Sequence, residues 1–343
     1  MATEQSKRRK VRWGVLGVAS IAVRRAIPGM QKGQWSEVAA IASRDGKKAG
    51  EAARKLGIGK AFGSYEELLS DADIEAVYIP LPNSLHAQWT VKAAEAGKHV
   101  LCEKPLCPTV AQARAVLEAR ERTGVKIGEA FMVRTHPRWL RVRELVRAGR
   151  IGELRSITGV FSYFNRDAAN IRNMPEYGGG ALLDIGCYPV TLARFLYGQE
   201  PARVLGLLER DPEFKIDRTD SALLDFPSGQ CSFVCSMQLN YRQRMELLGT
   251  RGRMEIELPF TPPTDEPTSI LIDDGSGSAG GRVTEVIGKC DQFTVQGDAF
   301  SRAIREGGEV PVSVEDAIGN IAALEAIQRS AESGKWETPR GIL

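Results

Sequence analysis

The feature that most constrains the fold is a short apolar stretch that runs into a turn of small residues. Residues 11–16 are apolar enough for a strand buried on both faces, and the segment 17–22 (GVASIA) leads into a helical pattern. Gly17 permits a tight turn, Ala19 stands where a backbone must approach a phosphate, and Ala22 permits close helix packing. Because Ala19 replaces the usual glycine, the turn alone is also compatible with a simple strand–helix connection. In its strand–turn–helix context it predicts a dinucleotide-binding unit.

The next predicted strand indicates which dinucleotide is bound. The amides of Ser20 and Ile21, at the start of the first helix, are expected to contact the pyrophosphate. The second strand ends in Ser43 and Arg44, where an NAD enzyme usually has a carboxylate for the ribose 2′-hydroxyl. A hydroxyl and a guanidinium, with Lys48 nearby, suit a 2′-phosphate instead. We therefore expect NADP in preference to NAD, whereas Arg44 without this context would read as an ordinary surface charge.

Strands and helices alternate in the first part of the chain. Short apolar runs separated by helical patterns predict a doubly wound parallel sheet that is buried on both faces. The predicted strands are residues 11–16, 38–42, 76–79, 99–101 and 125–127. Two of the intervening helices begin with capping boxes, Ser64 with Glu67 and Thr109 with Gln112.

The pattern changes after residue 133. Strands with alternating polarity now follow one another with few helices between them, which predicts an α+β region with a mostly antiparallel, open-faced sheet. The predicted strands are residues 156–163, 203–208, 221–226, 230–239 and 244–248, and the predicted helices are 139–148, 293–305 and 314–331. The segment 261–288 is rich in Pro, Asp, Ser and Gly and reads as a surface excursion with short strands at 269–272 and 283–286.

Length and composition set the domain organisation. A chain of 343 residues exceeds the usual size of one hydrophobic core, so we predict two domains. These are an NADP-binding α/β domain at 11–133 and a substrate-binding and oligomerisation domain at 134–343, preceded by a basic disordered tail at 1–10. Most of the formal net charge of +3 comes from that tail, which lacks the interleaved aromatic residues of a nucleic-acid surface.

Compartment and metal content follow from the cysteines, the histidines and the first apolar stretch. If that stretch were a signal peptide, its cleavage would remove the first strand and its turn, so a cytoplasmic location is expected. The six cysteines form no CxxC pair, and no apolar run is long enough for a membrane span. The three histidines are not placed at metal-ligand spacing, so we expect no metal.

Two further motifs carry reactive side chains. Glu103, Lys104 and Pro105 follow a buried strand, so Lys104 lies at the edge where open α/β sheets bind ligands. If the chain is helical from residue 181, Asp184 and Tyr188 are four residues apart and lie on one face, pairing a carboxylate with a phenol. The alternatives are a surface lysine beside a proline turn, and a capped helix start with a core tyrosine.

Together these motifs resemble the glucose-fructose oxidoreductase, inositol dehydrogenase and MocA (Gfo/Idh/MocA) family. The resemblance extends over most of the chain. Its matching segments are the turn at Gly17 and residues 82–86 (PNSLH), 103–105 (EKP), 129–132 (EAFM), 151–154 (IGEL) and 178–189 (GGGALLDIGCYP). Many members carry histidine where this chain has Tyr188, which is similar to the xylose dehydrogenase and dihydrodiol dehydrogenase branch.

The resemblance implies two groups of site residues. The nicotinamide would lie near Lys104 and His86, and the cofactor site would also include Pro82, Asn83 and Glu103. The substrate would be enclosed between the first domain and the open face of the second sheet.

The substrate-site residues implied by the family are Lys104, Asp184 and Tyr188 as the catalytic group, which would converge in space. Tyr188 would take the hydroxyl proton, Lys104 would lower the pKa of that phenol, and Asp184 would orient a substrate hydroxyl. Asn170 and Arg172 would contact further hydroxyls.

The implied activity is an NADP-dependent transfer of hydride to or from a CH–OH carbon of a sugar or related polyol, such as the aldoses D-xylose or glucose. Three alternatives stay open: a trans-dihydrodiol dehydrogenase, a non-catalytic NADP-dependent sensor, and a redox-assisted glycosidase. Family analogy further implies a homodimer or homotetramer with a small-molecule substrate and no nucleic-acid or membrane partner.

Overall fold

The computed structural model describes residues 9–276 and 281–341, so nearly all of the predicted basic tail lies outside the described residues. Its first sheet is built from short strands that are mostly buried, except for the edge strand Lys60–Phe62. They are β1 (Val11–Leu16), β2 (Ser36–Ala42), β3 (Lys60–Phe62), β4 (Ala76–Ile79), β5 (His99–Glu103) and β6 (Ile127–Ala130). All pairings are parallel, in the order β3-β2-β1-β4-β5-β6. This confirms the doubly wound parallel sheet, with the order reversing between β1 and β4.

Helices connect these strands. A π-helical turn at Ala22–Ala26 leads into the first of them, and the helices are α1 (Ile27–Gln31), α2 (Gly46–Leu56), α3 (Tyr65–Ser70), α4 (Asn83–Glu95) and α5 (Val110–Thr123). The predicted caps are present: the Ser64 hydroxyl accepts from the Glu67 amide at 3.1 Å, and the Thr109 hydroxyl accepts from the Gln112 amide at 3.3 Å. Ligands of such sheets bind at the carboxyl ends of the strands, beside the reversal in strand order.

The second sheet confirms the mostly antiparallel prediction. Its strands are β7 (Leu154–Phe164), β8 (Arg203–Arg210), β9 (Asp217–Phe226), β10 (Gly229–Ser236), β11 (Gln238–Gly249), β12 (Arg253–Glu257), β13 (Thr268–Asp273) and β14 (Arg282–Ile287). Their order is β14-β13-β12-β11-β7-β10-β9-β8. Among these described strands β7 and β10 pair in parallel, and all other neighbours pair antiparallel.

Several boundaries differ from the sequence prediction. β3 and β12 were not predicted, and the predicted strand 230–239 covers β10 from its second residue onward and the beginning of β11. β6 begins at Ile127, so the observed strand lies further toward the carboxyl end than the strand predicted at 125–127. The short strands predicted at 269–272 and 283–286 are confirmed as β13 and β14. They extend the sheet beyond β12, so the interpretation of the whole segment 261–288 as a surface excursion is wrong.

The remaining helices join the two sheets. They are α6 (Pro137–Arg147), α7 (Cys187–Tyr197), α8 (Gln292–Glu306) and α9 (Val314–Ser333). The first half of α9 contributes Ile318 and Ile321 to the core around the first sheet, and its second half contributes Leu324 and Ile327 to the core of the second sheet. One face of the second sheet stays open, with Leu207 exposed to 72%. Among residues 9–276 and 281–341, no helix is long and apolar enough to cross a membrane.

A partly buried ionic cluster holds α9 against its neighbours. The Asp316 carboxylate lies 2.6 Å from Arg134 Nη2 and 2.7 Å from Arg194 Nη1. Burial disfavours the charged form of Asp316, but the two guanidinium groups outweigh this and lower its pKa. The carboxylate therefore connects three segments of the chain: the turn after β6, α7 and α9.

Replacing Asp316 with asparagine should destabilise the fold. Asp316→Asn leaves the Arg134 guanidinium without its carboxylate, whereas Arg194 keeps its pair with Glu200, so we expect the free energy of unfolding at pH 7 to fall by about 3 kcal/mol. Because the folded pKa lies below the unfolded value, this stabilisation is present above the unfolded pKa and is lost as the pH falls through the folded pKa. Urea titrations from neutral to acid pH should show the two proteins converging.

The control is Glu306→Gln, which breaks the solvent-exposed pair between Arg302 and Glu306 on α8. That change should alter the free energy of unfolding by less than about 0.5 kcal/mol. Equal effects of the two substitutions would contradict a special role for the Asp316 cluster.

Candidate functional site

The glycine turn after β1 has the geometry that a pyrophosphate site requires. Gly17 adopts a φ of +121°, and a Cβ on it would lie 3.1 Å from Leu81 Cδ2. Its amide donates to the Ala42 carbonyl at 2.8 Å, which ties the turn to the end of β2. The following helix begins at the exposed Ser20, and the amides of a first helical turn have no partner within the helix. Ala19 is half-buried at the approach to these amides. The turn therefore fits a dinucleotide phosphate.

The end of β2 presents positive charge at the rim of the same crevice. Ser43 is buried and accepts from the Asp45 amide at 3.2 Å, and Asp45 caps α2. Arg44 and Lys48 are exposed beside it. Burial raises the pKa of the nearby Tyr65 phenol, and the positive charge of Arg44 opposes this shift. The charge and the donors fit a 2′-phosphate.

The PNSLH segment is held mainly by backbone contacts. Each ring nitrogen of the buried His86 lies against a carbonyl oxygen, Nδ1 at 2.8 Å from Pro105 and Nε2 at 2.7 Å from Leu81. Asn83 donates to the Gly178 carbonyl at 2.9 Å, which links the start of α4 to the glycine-rich segment. His86 therefore fixes the loops after β4 and β5, and this geometry does not bring its ring nitrogens to the catalytic group. Pro82 stands at the N-cap of α4 without a side-chain cap.

Two buried carboxyl groups fix the loop that carries Lys104. Tyr78 donates to Glu103 Oε1 at 2.5 Å, and Glu103 Oε2 accepts from the Lys104 amide at 3.3 Å. Glu129 Oε1 accepts from the Leu106 amide at 2.7 Å, and burial raises the pKa of Glu129 to about 7. The sequence marked Glu129 as part of a matching segment but gave it no role. The loop is thus fixed on both sides of Lys104.

Lys104 and Asp184, which the resemblance implied would converge, form a buried ion pair across the two sheets. Lys104 Nζ donates to the main-chain oxygen of Asp184 and lies 3.2 Å from its Oδ1, with the two side chains only 11% and 12% exposed. Burial disfavours both charges. Nevertheless Arg172 and Lys104 hold the pKa of Asp184 well below its usual range, and Asp184 holds the pKa of Lys104 above its own. Both groups are therefore charged at neutral pH.

Asp184 lies in a π-helical turn, Leu182–Gly186, that precedes α7. The expectation of an ordinary α-helix from residue 181 is therefore wrong for this turn. Asp184 and Tyr188 nevertheless both contact Lys104, the first through its carboxylate and the second through its ring.

The Tyr188 side chain lies under the lysine, with its ring centroid 5.0 Å from Lys104 Nζ. The residue is 4% exposed, and its hydroxyl contacts Met132 Sδ at 3.7 Å. Three phenyl rings surround the Tyr188 ring, and their centroids lie 5.1 Å (Phe131), 5.6 Å (Phe161) and 5.4 Å (Phe260) from its own. The expected lowering of its pKa is not found: burial raises the pKa of the phenol, and Lys104 offsets only part of that shift.

Two more side chains complete the environment of Asp184. Arg172 Nε lies 3.0 Å from Asp184 Oδ2, and Tyr163 donates to the same oxygen at 2.6 Å. Asn170, which was predicted beside Arg172 as a substrate contact, accepts from the Arg172 amide through Oδ1 at 3.1 Å and caps its own short turn. Tyr163 was not predicted. Its place two residues after Phe161 in β7, hence on the same face of the strand, is the signal that identifies it.

The site lies on the covered face of the second sheet, not on its open face. Phe161 and Tyr163 point from β7 toward Tyr188 and Asp184. Leu223 and Val234, on neighbouring strands, belong to the opposite face and are exposed. The candidate residues therefore lie on the face opposite to the one that was expected to enclose the substrate.

The start of the π-helical turn is fixed by a buried carboxylate. Asp217 Oδ2 accepts from the Leu182 amide at 2.7 Å, and the other oxygen lies where a Cβ on Gly180 would be. Gly180 has a φ of +118°, which favours glycine. Burial and the neighbouring Asp217 raise the pKa of Asp220 to about 10, so Asp220 keeps its proton at neutral pH.

A side chain at position 180 should therefore disrupt the site. In Gly180→Ala the new methyl group collides with Asp217, so we expect a loss of about 2–4 kcal/mol in the free energy of unfolding, together with displacement of Asp184. The matched control is Gly198→Ala, which also has positive φ (+64°) but has no atom within 4 Å of its Cβ. The control should cost about 1 kcal/mol. Denaturant titration of both variants measures the difference, and equal costs would rule out the collision.

Comparisons with known proteins agree with this geometry. Residues 11–131 match the family model described as "Oxidoreductase family, NAD-binding Rossmann fold", and residues 139–255 match the GFO/IDH/MocA C-terminal domain. An uncharacterised oxidoreductase of Rhizobium meliloti is 47% identical over 96% of this chain and 99% of its own length. A D-xylose 1-dehydrogenase (NADP(+)) of Haloferax volcanii is 39% identical over 94% of this chain and 98% of its own.

A solved structure supports the same relationship. A 3-ketoreductase from Actinomadura kijaniata, crystallised with NADP and TDP-benzene, superimposes with a TM-score of 0.88 at 32% identity. The match covers 94% of this chain and 98% of that one.

Proposed function

The chain belongs to the Gfo/Idh/MocA oxidoreductase family, and we propose that it is an NADP-dependent enzyme transferring a hydride between nicotinamide and a CH–OH carbon of a sugar or related polyol. The observation that carries this proposal is the buried pair of Lys104 and Asp184 above the ring of Tyr188. It places a cation, a carboxylate and a phenol at the carboxyl end of the first sheet, where such folds bind their ligands. An aldose such as D-xylose or glucose fits the chemistry of these groups.

The cofactor would be held by the first domain. The turn at Gly17 and the amides of Ser20 and Ile21 suit the pyrophosphate, and Ser43 with Arg44 suits the 2′-phosphate. Bound nicotinamide supplies or accepts the hydride. The named relative and the solved structure that carry NADP in their descriptions support the choice of NADP.

Lys104 and Tyr188 would handle the proton. Because burial raises the pKa of the phenol, Tyr188 is protonated at neutral pH and suits donation to an alkoxide that forms during reduction of a ketone or aldehyde. Lys104, held charged by Asp184, stabilises the resulting phenolate. Oxidation of an alcohol needs the deprotonated phenol, so that direction should be favoured at alkaline pH.

The partners and compartment follow from other features. The open face of the second sheet exposes Leu207, Leu223 and Val234, which supports a homodimer or homotetramer that covers this face. All six cysteines are unpaired and buried, as in proteins of a reducing compartment, which supports a cytoplasmic location.

The first experiment is a turnover assay. Absorbance of the reduced nicotinamide would be followed with NADP or NAD against a panel of aldoses, polyols and dihydrodiols. Turnover with NADP and a sugar is the expected result. Tight NADPH binding without turnover in either direction would instead indicate a sensor, and sugar release without net NADP reduction would indicate a glycosidase.

Removal of the Tyr188 hydroxyl tests the proton-transfer role. Tyr188→Phe keeps the ring in its aromatic surroundings, so kcat should fall by about 10²–10⁴ while the Kd for NADPH, measured by fluorescence, stays within about twofold. The control is Tyr197→Phe, which removes a phenol bonded to the Gln230 carbonyl in the second domain, and should leave kcat unchanged. A fully active Tyr188→Phe enzyme would remove the phenol from the mechanism.

Replacement of Arg44 tests the cofactor preference. Arg44→Ala removes a charged donor from the proposed 2′-phosphate site, so the Kd for NADPH should rise about 10–100-fold while that for NADH changes little. Lys55→Ala, at the exposed far end of α2, controls for the loss of one positive charge. Equal weakening of NADPH and NADH binding would place the 2′-phosphate elsewhere.

A further inference from the structure

The Asp184 carboxylate is occupied by the protein's own side chains. Oδ1 faces Lys104 at 3.2 Å, and Oδ2 accepts from Tyr163 at 2.6 Å and lies 3.0 Å from Arg172 Nε. The carboxylate is ionised, so it accepts hydrogen bonds and donates none. Most of its acceptor capacity is therefore used before any substrate arrives.

This occupation fixes the hydroxyl of Tyr163. A phenol has one proton, and here that proton must point to Asp184, because the ionised carboxylate has none to donate. Burial and the nearby Asp184 charge both raise the pKa of Tyr163, so the proton stays on the phenol. The Tyr163 oxygen can therefore only accept a hydrogen bond from a further partner.

Arg172 supplies the complementary donors. Its contact with Asp184 uses Nε, and a guanidinium also carries N–H groups on Nη1 and Nη2. Its side chain is 43% exposed, whereas those of Asp184 and Lys104 are 12% and 11% exposed. Exposure thus falls from Arg172 at the solvent side to Lys104 and then Tyr188 in the interior.

We propose that Tyr163 is a specificity-determining residue, which together with Arg172 binds a substrate hydroxyl that does not react. A hydroxyl is the group that donates to the Tyr163 oxygen and accepts from Arg172 at the same time. A carbonyl or a methylene at that position cannot do both. This inference rests on the proposed function, because the hydroxyl bound by Tyr163 and Arg172 belongs to the same sugar whose reacting carbon lies near Lys104 and Tyr188.

The test compares Tyr163→Phe with the wild type on D-xylose and D-glucose and on their 2-, 3- and 4-deoxy analogues, with NADP as cofactor. On the parent sugar, KM should rise about tenfold, the cost of one hydrogen bond to a polarised phenol, while kcat changes less than about threefold. On one deoxy analogue, the wild type should already show the raised KM, and Tyr163→Phe should add nothing to it.

Controls separate recognition from support of the fold. The Kd for NADPH should match the wild type in Tyr163→Phe, and the melting temperature should fall by only a few degrees, because Asp184 loses one of its hydrogen bonds. Tyr197→Phe should show normal KM for every sugar. Arg172→Gln provides a second variant. Its KM on the parent sugar should be higher than that of the wild type, and on the same deoxy analogue the two KM values should be equal.

The outcomes that overturn the inference are distinct from those that overturn the proposed function. If Tyr163→Phe lowers kcat by the same factor for every sugar with KM unchanged, Tyr163 merely supports Asp184, and the inference is wrong while the dehydrogenase activity stands. If the wild type binds NADPH but neither turns over nor binds any sugar of the panel, the proposed function fails, and the inference fails with it.

Discussion

The buried ion pair between Lys104 and Asp184 is the interaction on which the rest of the site depends. Removing two charges from water costs several kcal/mol for each ion, and their mutual attraction offsets this only when further hydrogen bonds satisfy both groups. Here the carboxylate also receives Tyr163 and Arg172, and the ammonium group also reaches the main-chain oxygen of Asp184. The pair is therefore stable as part of a network and would not be stable alone.

The same requirement explains the structure on either side of the pair. Lys104 follows β5, and its loop is fixed by Glu103 and Glu129. Asp184 precedes α7, and its turn is fixed by Asp217. These supports belong to different sheets, so the two parts of the chain must keep a fixed relative position for the charges to meet. The long helix α9, which contributes to both cores, and the Asp316 cluster provide that position.

The sequence predicted the architecture well because its signals are local. Apolar runs, capping boxes and alternation depend on neighbouring residues, and they identified both sheets. β3 has three residues and β12 has five, too few for a clear period, and residue 237 joins two strands without the glycine or proline that usually marks a turn. The chain between β13 and β14 has a loop-like composition, and the pairing of β13 with β12 and of β14 with β13, which extends the sheet, is not marked by any local pattern.

The candidate site was predictable in its residues and less so in its chemistry. Lys104, Asp184 and Tyr188 stand in motifs, and the fold brings them together. The state of Tyr188 depends on three phenyl rings from distant segments, so its raised pKa could not be read from the motif. Tyr163 was identified as a site residue only from the structure, in which the register of β7 places it beside Asp184. Asn170 has the composition of a ligand contact but is used by its own backbone turn.

The π-helical geometry of Leu182–Gly186 has a consequence for comparing this chain with others. A π turn contains about one residue more than an α turn, and each residue of an α-helix rotates the chain by about 100°. Loss of a single residue there would let the turn close as an ordinary helix and swing Asp184 away from Lys104 without shortening α7. A one-residue gap in an alignment of this segment therefore marks a change of the active-site side-chain direction, and not a harmless difference in loop length.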